Sequence, residues 1–427
     1  MAEAQAIAAP PAKTPLRATL ARFGLASMSS AFVSASHLLV QLVSVRRLSA
    51  TEVGTLAFLL VIIQLGYGLS NALVSTPYAI AVNQRSEEEG DHGFFFPLNL
   101  LLSLAQGLIC AGIGWVMAGP LAAAAFGAAG VVSLLRWFGR ATSYAHHRPA
   151  TAAFSDFVYA GLVTAGVAGT LAFGPRLELF GAVLATAGLV GLAPFGLRFL
   201  ARHRPLGLVR AFGDYREVWK RQSAWTLIGV ITTEATSNAH SYAVTALAGP
   251  AAFAPIAVGA LFFRPVNVCI TALTQLERPR MARAVAHGDE RAARRSSQAF
   301  TAALALVWLA TSITAAVILW FFPHILIRPT LSVTTVTIAA ALSSLLTLVQ
   351  CLQSPMSVLT QARGAFRPLA ATSVRSCLVG IAAVLALTFT VPPVYTVAGV
   401  VLSQLVMMLG ILRLERRLRP AAAEVAR

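Results

Sequence analysis

Charge is scarce in this 427-residue chain: Asp, Glu, Lys and Arg make up 11% of it, and only 16 residues are acidic. A water-soluble chain of this length needs more charged surface. The 57% of apolar residues and a mean hydropathy of +0.73 point to lipid as the surroundings. Cysteine is scarce too. Cys110, Cys269, Cys351 and Cys377 fall singly in four separate apolar stretches, which fits neither a zinc site nor a disulfide framework. The motifs of hydrolases, metalloproteases and nucleotide-driven motors are missing: no H-E-x-x-H, no G-x-S-x-G, no G-x-x-x-x-G-K-S/T. No cofactor is expected, and the chain does not read as an enzyme.

Twelve apolar stretches are present instead. They run over about 24–45, 53–80, 94–117, 121–141, 154–174 and 179–200, then 222–247, 251–275, 298–322, 331–361, 369–391 and 395–412. Most hold about 20 apolar or small residues, the length a helix needs to cross about 30 Å of hydrocarbon. Strands of a membrane barrel would be half as long and strictly alternating. The expected fold is an all-α integral membrane protein with twelve transmembrane helices. The residues before the first stretch have no apolar core of their own, so that stretch is expected to act as the insertion signal, with no cleaved leader.

The arginines fall almost entirely in every second gap. Only Arg46, Arg47, Arg176 and Arg328 lie on one side; 28 of the 33 basic residues are assigned to the other, which also receives both tails, and Arg264 lies inside a span. This bias predicts that both termini face the cytoplasm and places the chain in the cytoplasmic (inner) membrane. It also accounts for a net charge of +17 without nucleic acid, since the charge is spread over separate loops with no aromatic-interleaved patch and suits anionic lipid.

The longest polar interruption divides the chain near its middle. An N-terminal lobe (1–203, helices 1 to 6), a linker (204–221) and a C-terminal lobe (222–427, helices 7 to 12) are expected around a central cavity. In the linker Leu208, Phe212, Tyr215 and Trp219 recur at i, i+4, i+7 and i+11, the pattern of an amphipathic helix lying on the membrane surface. Leu48-Ser49-Ala50 after span 1 and Leu247-Ala248-Gly249 after span 7, with Pro77 and Pro279, hint at a parallel duplication. Loops on the side with few arginines are about ten residues or shorter and carry only Glu52 and Glu178 as acids, too little chain for a catalytic site.

Polar residues inside a membrane are costly, so where they align they should face protein or water. Span 1 carries Ser30, Ser34, His37, Gln41 and Ser44; span 2 carries Gln64, Tyr67, Asn71 and Ser75. Span 7 carries Glu234, Asn238, Ser241 and Thr245 with His240 beside them, and span 10 carries Ser343, Thr347, Gln350, Ser354, Ser357 and Gln361. An isolated Ser or Thr would serve its own backbone or close packing; rows in register point to a water-filled cavity. Glu234 and Arg264 each lie 15 residues from Gly249, which on straight antiparallel helices puts both at one depth near the midplane. They are expected either to pair or to exchange partners, Arg264 attracting an anionic substrate group and Glu234 taking a coupling ion; the bland alternative is an ion pair that only fixes register. Asp156 is a further candidate for ion coupling, although Asp156, Arg136 and Arg375 also read as boundary residues at the basic mouth.

The run Phe32 to Gly54, FVSASHLLVQLVSVRRLSATEVG, resembles the opening of Wzx-type polysaccharide flippases, whose first helix ends in R-x-L-G/S-x-x-E/D-x-G, here Arg46, Leu48, Ser49, Glu52 and Gly54. These belong to the multidrug/oligosaccharidyl-lipid/polysaccharide exporter superfamily. The resemblance implies transfer of undecaprenyl-diphosphate-linked oligosaccharide between leaflets by alternating access, coupled to a proton or sodium ion, alongside a polysaccharide polymerase and glycosyltransferases. The major facilitator signature is absent between spans 2 and 3, where NQRSEEEGDHG stands instead. A cation-coupled drug antiporter of the same superfamily is the main alternative, and a membrane enzyme of polysaccharide assembly the lesser one.

Overall fold

The computed structural model describes residues 16–84, 92–204, 208–327 and 330–425. The acidic run Glu87, Glu88, Glu89 and Asp91, together with Lys13 and Arg328, lies outside them. Among the described residues all regular structure is helical. In order the main elements are α1 (Leu16–Arg47), α2 (Ala50–Ser70), α3 (Phe95–Ala118), α4 (Pro120–Ala145), α5 (Pro149–Phe173), α6 (Leu177–Val190) and the linker helix α7 (Leu208–Val218). The second half has α8 (Ala224–Ala248), α9 (Pro250–Leu261), α10 (Arg264–Ala286), α11 (Glu290–Phe321), α12 (Val333–Ala362), α13 (Phe366–Thr390) and α14 (Thr396–Val425).

Ten helices are long and apolar enough to cross a membrane, and the bent pair α9 and α10 makes an eleventh span. The twelfth is α8, 25 residues long, whose polar row of Glu234, Asn238, Ser241 and Thr245 lowers its hydropathy. The fold is all-α with twelve spans in two six-helix lobes. The four cysteines are free, and Cys110, Cys351 and Cys377 are buried packing residues. Below, the side with the arginine-rich loops is called the basic face and the other the far face.

The R-x-L-S-x-x-E-x-G run has a local physical reason. Ser49 caps α2 by accepting from the Glu52 amide, while the Glu52 carboxylate accepts from the Ser49 amide at 2.9 Å, a reciprocal capping box. Glu52 is thereby used as a cap. Gly54 lies one turn further on, where a Cβ would stand 1.7 Å from the Pro250 carbonyl oxygen. The two lobes therefore meet backbone to backbone at the far-face ends of α2 and α9. Around this contact Val53, Leu56 and Ala57 from one lobe join Phe253, Ala254 and Val258 from the other in one apolar cluster that seals the far face.

Prolines set the irregularities in both second spans. Pro77 cannot donate to the carbonyl four residues back, that of Leu73; the helix passes through a π-turn at Asn71–Ser75, and the Tyr215 hydroxyl from α7 donates to that carbonyl at 2.6 Å. The linker is thus anchored to span 2. Its packed face is Ala211, Tyr215 and Val218, and Phe212 and Trp219 of the apolar row are exposed. The α7 helix passes through a second π-turn, Trp219–Ser223, straight into α8.

In span 8, expected as one helix over 251–275, Pro265 in the first turn of α10 forces a break after Leu261, and the two halves are bent by 58°. A Gly54→Val variant should be unable to close the far face. Thiol labelling of cysteines introduced at Leu56 and Val258 checks this, with faster modification expected than in the same positions on the Gly54 background.

Candidate functional site

Arg264 stands at the break in span 8, in the first turn of α10, and its Nη1 donates to Gln41 Oε1 on α1. That hydrogen bond joins the two lobes. From it two polar rows run toward the basic face. On α10 they are Asn267, Thr271 and Gln275, at i+3, i+7 and i+11 from Arg264 and all exposed. On α1 they are His37, Ser34 and Ser30, with Ser30 exposed and the other two half-buried. Eleven residues of helix span about 16 Å, and over that length α10 runs at 58° to α9. The two rows are the walls of a candidate cleft whose closed end is the Gln41 to Arg264 contact. Beyond its closed end a crevice of about 10 Å³, room for about one water and lined by Gln41, Ser44, Leu56 and Leu261 among others, is far smaller than sites for drug-sized ligands, about 300–1,000 Å³. The usable space is the cleft.

Glu234 and Arg264 do not pair. Glu234 Oε1 accepts from Asn238 Nδ2 at 2.9 Å and from the Tyr242 hydroxyl at 2.6 Å, both on its own helix. The depth estimate assumed a straight span 8, and the bend takes Arg264 off that line. Tyr242 meets Phe58 of the other lobe edge-on, with ring centroids 6.1 Å apart, so the Glu234 group sits beside the lobe interface.

The remaining row residues divide. Ser241 is buried, with its Oγ 3.4 Å from the His240 ring, and His240 is buried as well. On α12 Ser343 and Thr347 are buried in packing, while Ser354, half-buried, donates to the Gln350 carbonyl at 2.8 Å. That row is largely occupied with its own helix and does not join the cleft contacts described above. Gln64 is exposed on α2, and Asn71 Oδ1 accepts from Trp137 Nε1 at 2.8 Å.

A second polar centre lies inside the N-terminal lobe. Asp156 on α5 is fully buried: its Oδ1 lies 2.8 Å from Arg136 Nη1 and 3.0 Å from Arg140 Nε, and its Oδ2 accepts from Ser29 at 3.0 Å. The Arg136 guanidinium lies over the Tyr159 ring at 4.0 Å, and the Tyr159 hydroxyl is 2.8 Å from His37 Nε2. Arg140 donates to Ser30 at 3.3 Å and sits over Trp137, which stacks on Tyr67 with centroids 4.6 Å apart. Asp156 and Arg136, expected among snorkelling boundary residues, are buried instead, because each neutralises the other away from water.

Sequence reasoning missed Arg140, Trp137 and Tyr159, and with them Asn267, Thr271 and Gln275. Arg136 and Arg140 were spent on topology, although their i, i+4 spacing on an otherwise apolar helix was the available signal. The α10 row was readable as an i, i+3, i+7, i+11 continuation of Arg264. Among the described residues no group of His, Cys, Asp and Glu could hold a metal ion.

Neither a protein-family profile nor a curated protein sequence matches the chain. Solved structures do. The lipid II flippase MurJ in an inward closed conformation superposes with a TM-score of 0.68 at 11% identity, covering 92% of this chain and 87% of that one. An inward-facing multidrug resistance MATE family transporter of the MOP superfamily gives 0.63 at 14% identity, covering 92% and 96%. The eukaryotic MATE transporter AtDTX14 gives 0.58 at 16% identity, covering 96% and 99%. At these identities the likeness establishes a shared fold.

Replacing Asp156 by Asn would leave two guanidiniums inside the lobe without a carboxylate. The cost of breaking such a buried pair is about 3–5 kcal/mol. Thermal unfolding in detergent should show a marked drop in midpoint for Asp156→Asn, with a smaller one for Ser29→Ala.

Proposed function

We propose that the protein is a flippase that moves undecaprenyl-diphosphate-linked oligosaccharide across the cytoplasmic membrane by alternating access, with the basic face cytoplasmic. The observation that carries this reading is the pair of polar rows running from the Gln41 to Arg264 contact. They form a cleft that is sealed at the far face by the backbone contact of Gly54 with Pro250 and, on this reading, opens toward the basic face. Sugar hydroxyls suit rows of Ser, Thr, Asn and Gln; a diphosphate suits a guanidinium that has no carboxylate partner. The lipid tail would remain in the bilayer through the gap that opens between α1 and α10.

Arg264 is the substrate's anion ligand, with Gln41 as its partner when the cleft is empty. Ser34, His37, Gln64, Asn71 and Asn238 line the path, and Glu234, held by Asn238 and Tyr242 beside the interface, takes the coupling proton or sodium ion. Ser241, Gln350 and Ser354 support these helices from the packed side. Glycosyltransferases would supply the substrate and a polymerase would consume it. The competing reading, a cation-coupled multidrug antiporter, draws on the same Glu234 and on the likeness to MATE transporters.

Deletion of the gene followed by lipid analysis separates the two. Lipid-linked oligosaccharide should accumulate in the inner leaflet, and an Arg264→Ala variant should restore export at least about tenfold less well than wild type while reaching the membrane normally. Unchanged surface polysaccharide with altered drug tolerance would favour the antiporter.

A further inference from the structure

The second polar centre carries more positive charge than it neutralises. Two guanidiniums, Arg136 and Arg140, share the single carboxylate of Asp156, and their side chains are only 4% and 12% exposed. Among the described residues the other hydrogen-bond and ring partners of the cluster are neutral: Ser29, Ser30, Tyr159, Trp137 and His37 by way of Tyr159. A surplus charge held out of water is costly unless an anion completes it. The hydrogen-bonding inventory is incomplete in the same place. Arg136 Nε is buried with no partner among the described residues, and Arg140 Nε, 3.0 Å from Asp156 Oδ1, lies off the line of a hydrogen bond. The Arg136 Nε–H is left unsatisfied, in a membrane where such a group is expensive.

The position is suggestive in its own right. Arg140 is bonded to Ser30, eleven residues from Gln41 on the same helix, so it stands about 16 Å closer to the basic face than Arg264. Arg140 is also the one of the two guanidiniums that reaches solvent. Its cation lies over Trp137, whose other contacts are the stacked Tyr67 ring and Asn71.

We infer that Arg140, set in place by Asp156 and Arg136, is an anion-binding station for a phosphate or diphosphate group at the mouth of the cleft, upstream of Arg264. An arriving anion accepts from the Arg140 guanidinium in place of Ser30 and completes the charge of the cluster. Asp156 and Arg136 are positioning residues: they hold Arg140 extended toward the α1 row. This deepens the flippase reading on which it rests, because it splits the capture of the anionic group into an entry step at Arg140 and a final step at Arg264. The same chemistry would be met by the diphosphate of a lipid-linked sugar or by the headgroup of an ordinary anionic phospholipid.

Trp137 makes the site observable. Binding of inorganic diphosphate to the whole protein in nanodiscs of zwitterionic lipid is followed by tryptophan fluorescence, with Trp137→Phe identifying the Trp137 component. The expected result is a saturable change in that component, weakened at least about tenfold by Arg140→Gln, restored in part by Arg140→Lys and retained in Arg264→Gln. Matching circular dichroism and unfolding midpoints exclude a folding defect in Arg140→Gln. Farnesyl diphosphate and phosphatidylglycerol are then added as competitors. Displacement by farnesyl diphosphate alone assigns the station to lipid diphosphates, and displacement by both assigns it to phosphate headgroups in general. A Trp137 response that is absent, or the same in Arg140→Gln as in wild type, overturns the inference. Transport is not read in this assay, so a flippase reading that fails in the deletion experiment leaves the binding result standing, and the reverse also holds.

Discussion

An arginine inside a membrane has to be hydrated, paired or moved out, and the arrangement of this molecule around Arg264 follows from that requirement. No carboxylate is brought to it. The helix that carries it breaks instead: Pro265 ends the α9 segment, the chain bends by 58°, and the guanidinium donates to Gln41 from the other lobe. The bend that gives Arg264 a partner also redirects Asn267, Thr271 and Gln275, which are exposed. One local event therefore ties the lobes together at mid-membrane.

The far-face seal completes this geometry. Gly54 and Pro250 allow two helix starts to touch through their backbones, and the apolar side chains around them close the space behind. The polar lining and the seal lie on the same helices, α1, α2 and the second-half pair α9 and α10. A cleft that opens to one side while shut on the other is half of an alternating-access cycle, and the prolines at 77 and 265 mark where the helices are interrupted. On the proposed reading the substrate's diphosphate replaces Gln41 as the partner of Arg264, which would release the contact that joins the lobes.

Much of this was legible in the sequence. Twelve spans follow from hydropathy, and the polar rows of α1 and α8 from residue spacing; the capping box and Gly54 were visible as a motif before their contacts were. What was lost had physical causes. A straight-helix assumption put Glu234 and Arg264 together, although Arg264-Pro265 in the middle of a span was a written warning of a break. Arg136 and Arg140 were absorbed into the count of basic residues, since composition does not distinguish an arginine in a loop from one folded onto a buried Asp156. The anchor of the linker was unreadable because Tyr215 is fixed by the Leu73 carbonyl, a partner more than 140 positions away in sequence. The α12 row shows the opposite failure: six polar residues in register looked like a cavity wall, and Ser343 and Thr347 are packing residues.

The central claim is that the α1 and α10 rows are the walls of one cleft that closes as the far-face seal opens. Paired spin labels on Ser34→Cys and Thr271→Cys, and separately on Thr51→Cys and Ala251→Cys, measured by pulsed electron resonance with and without a lipid diphosphate, test it most directly. The account predicts that the first distance shortens while the second lengthens, in a single coupled shift. Two distances that stay fixed, or that change in the same direction, would contradict it.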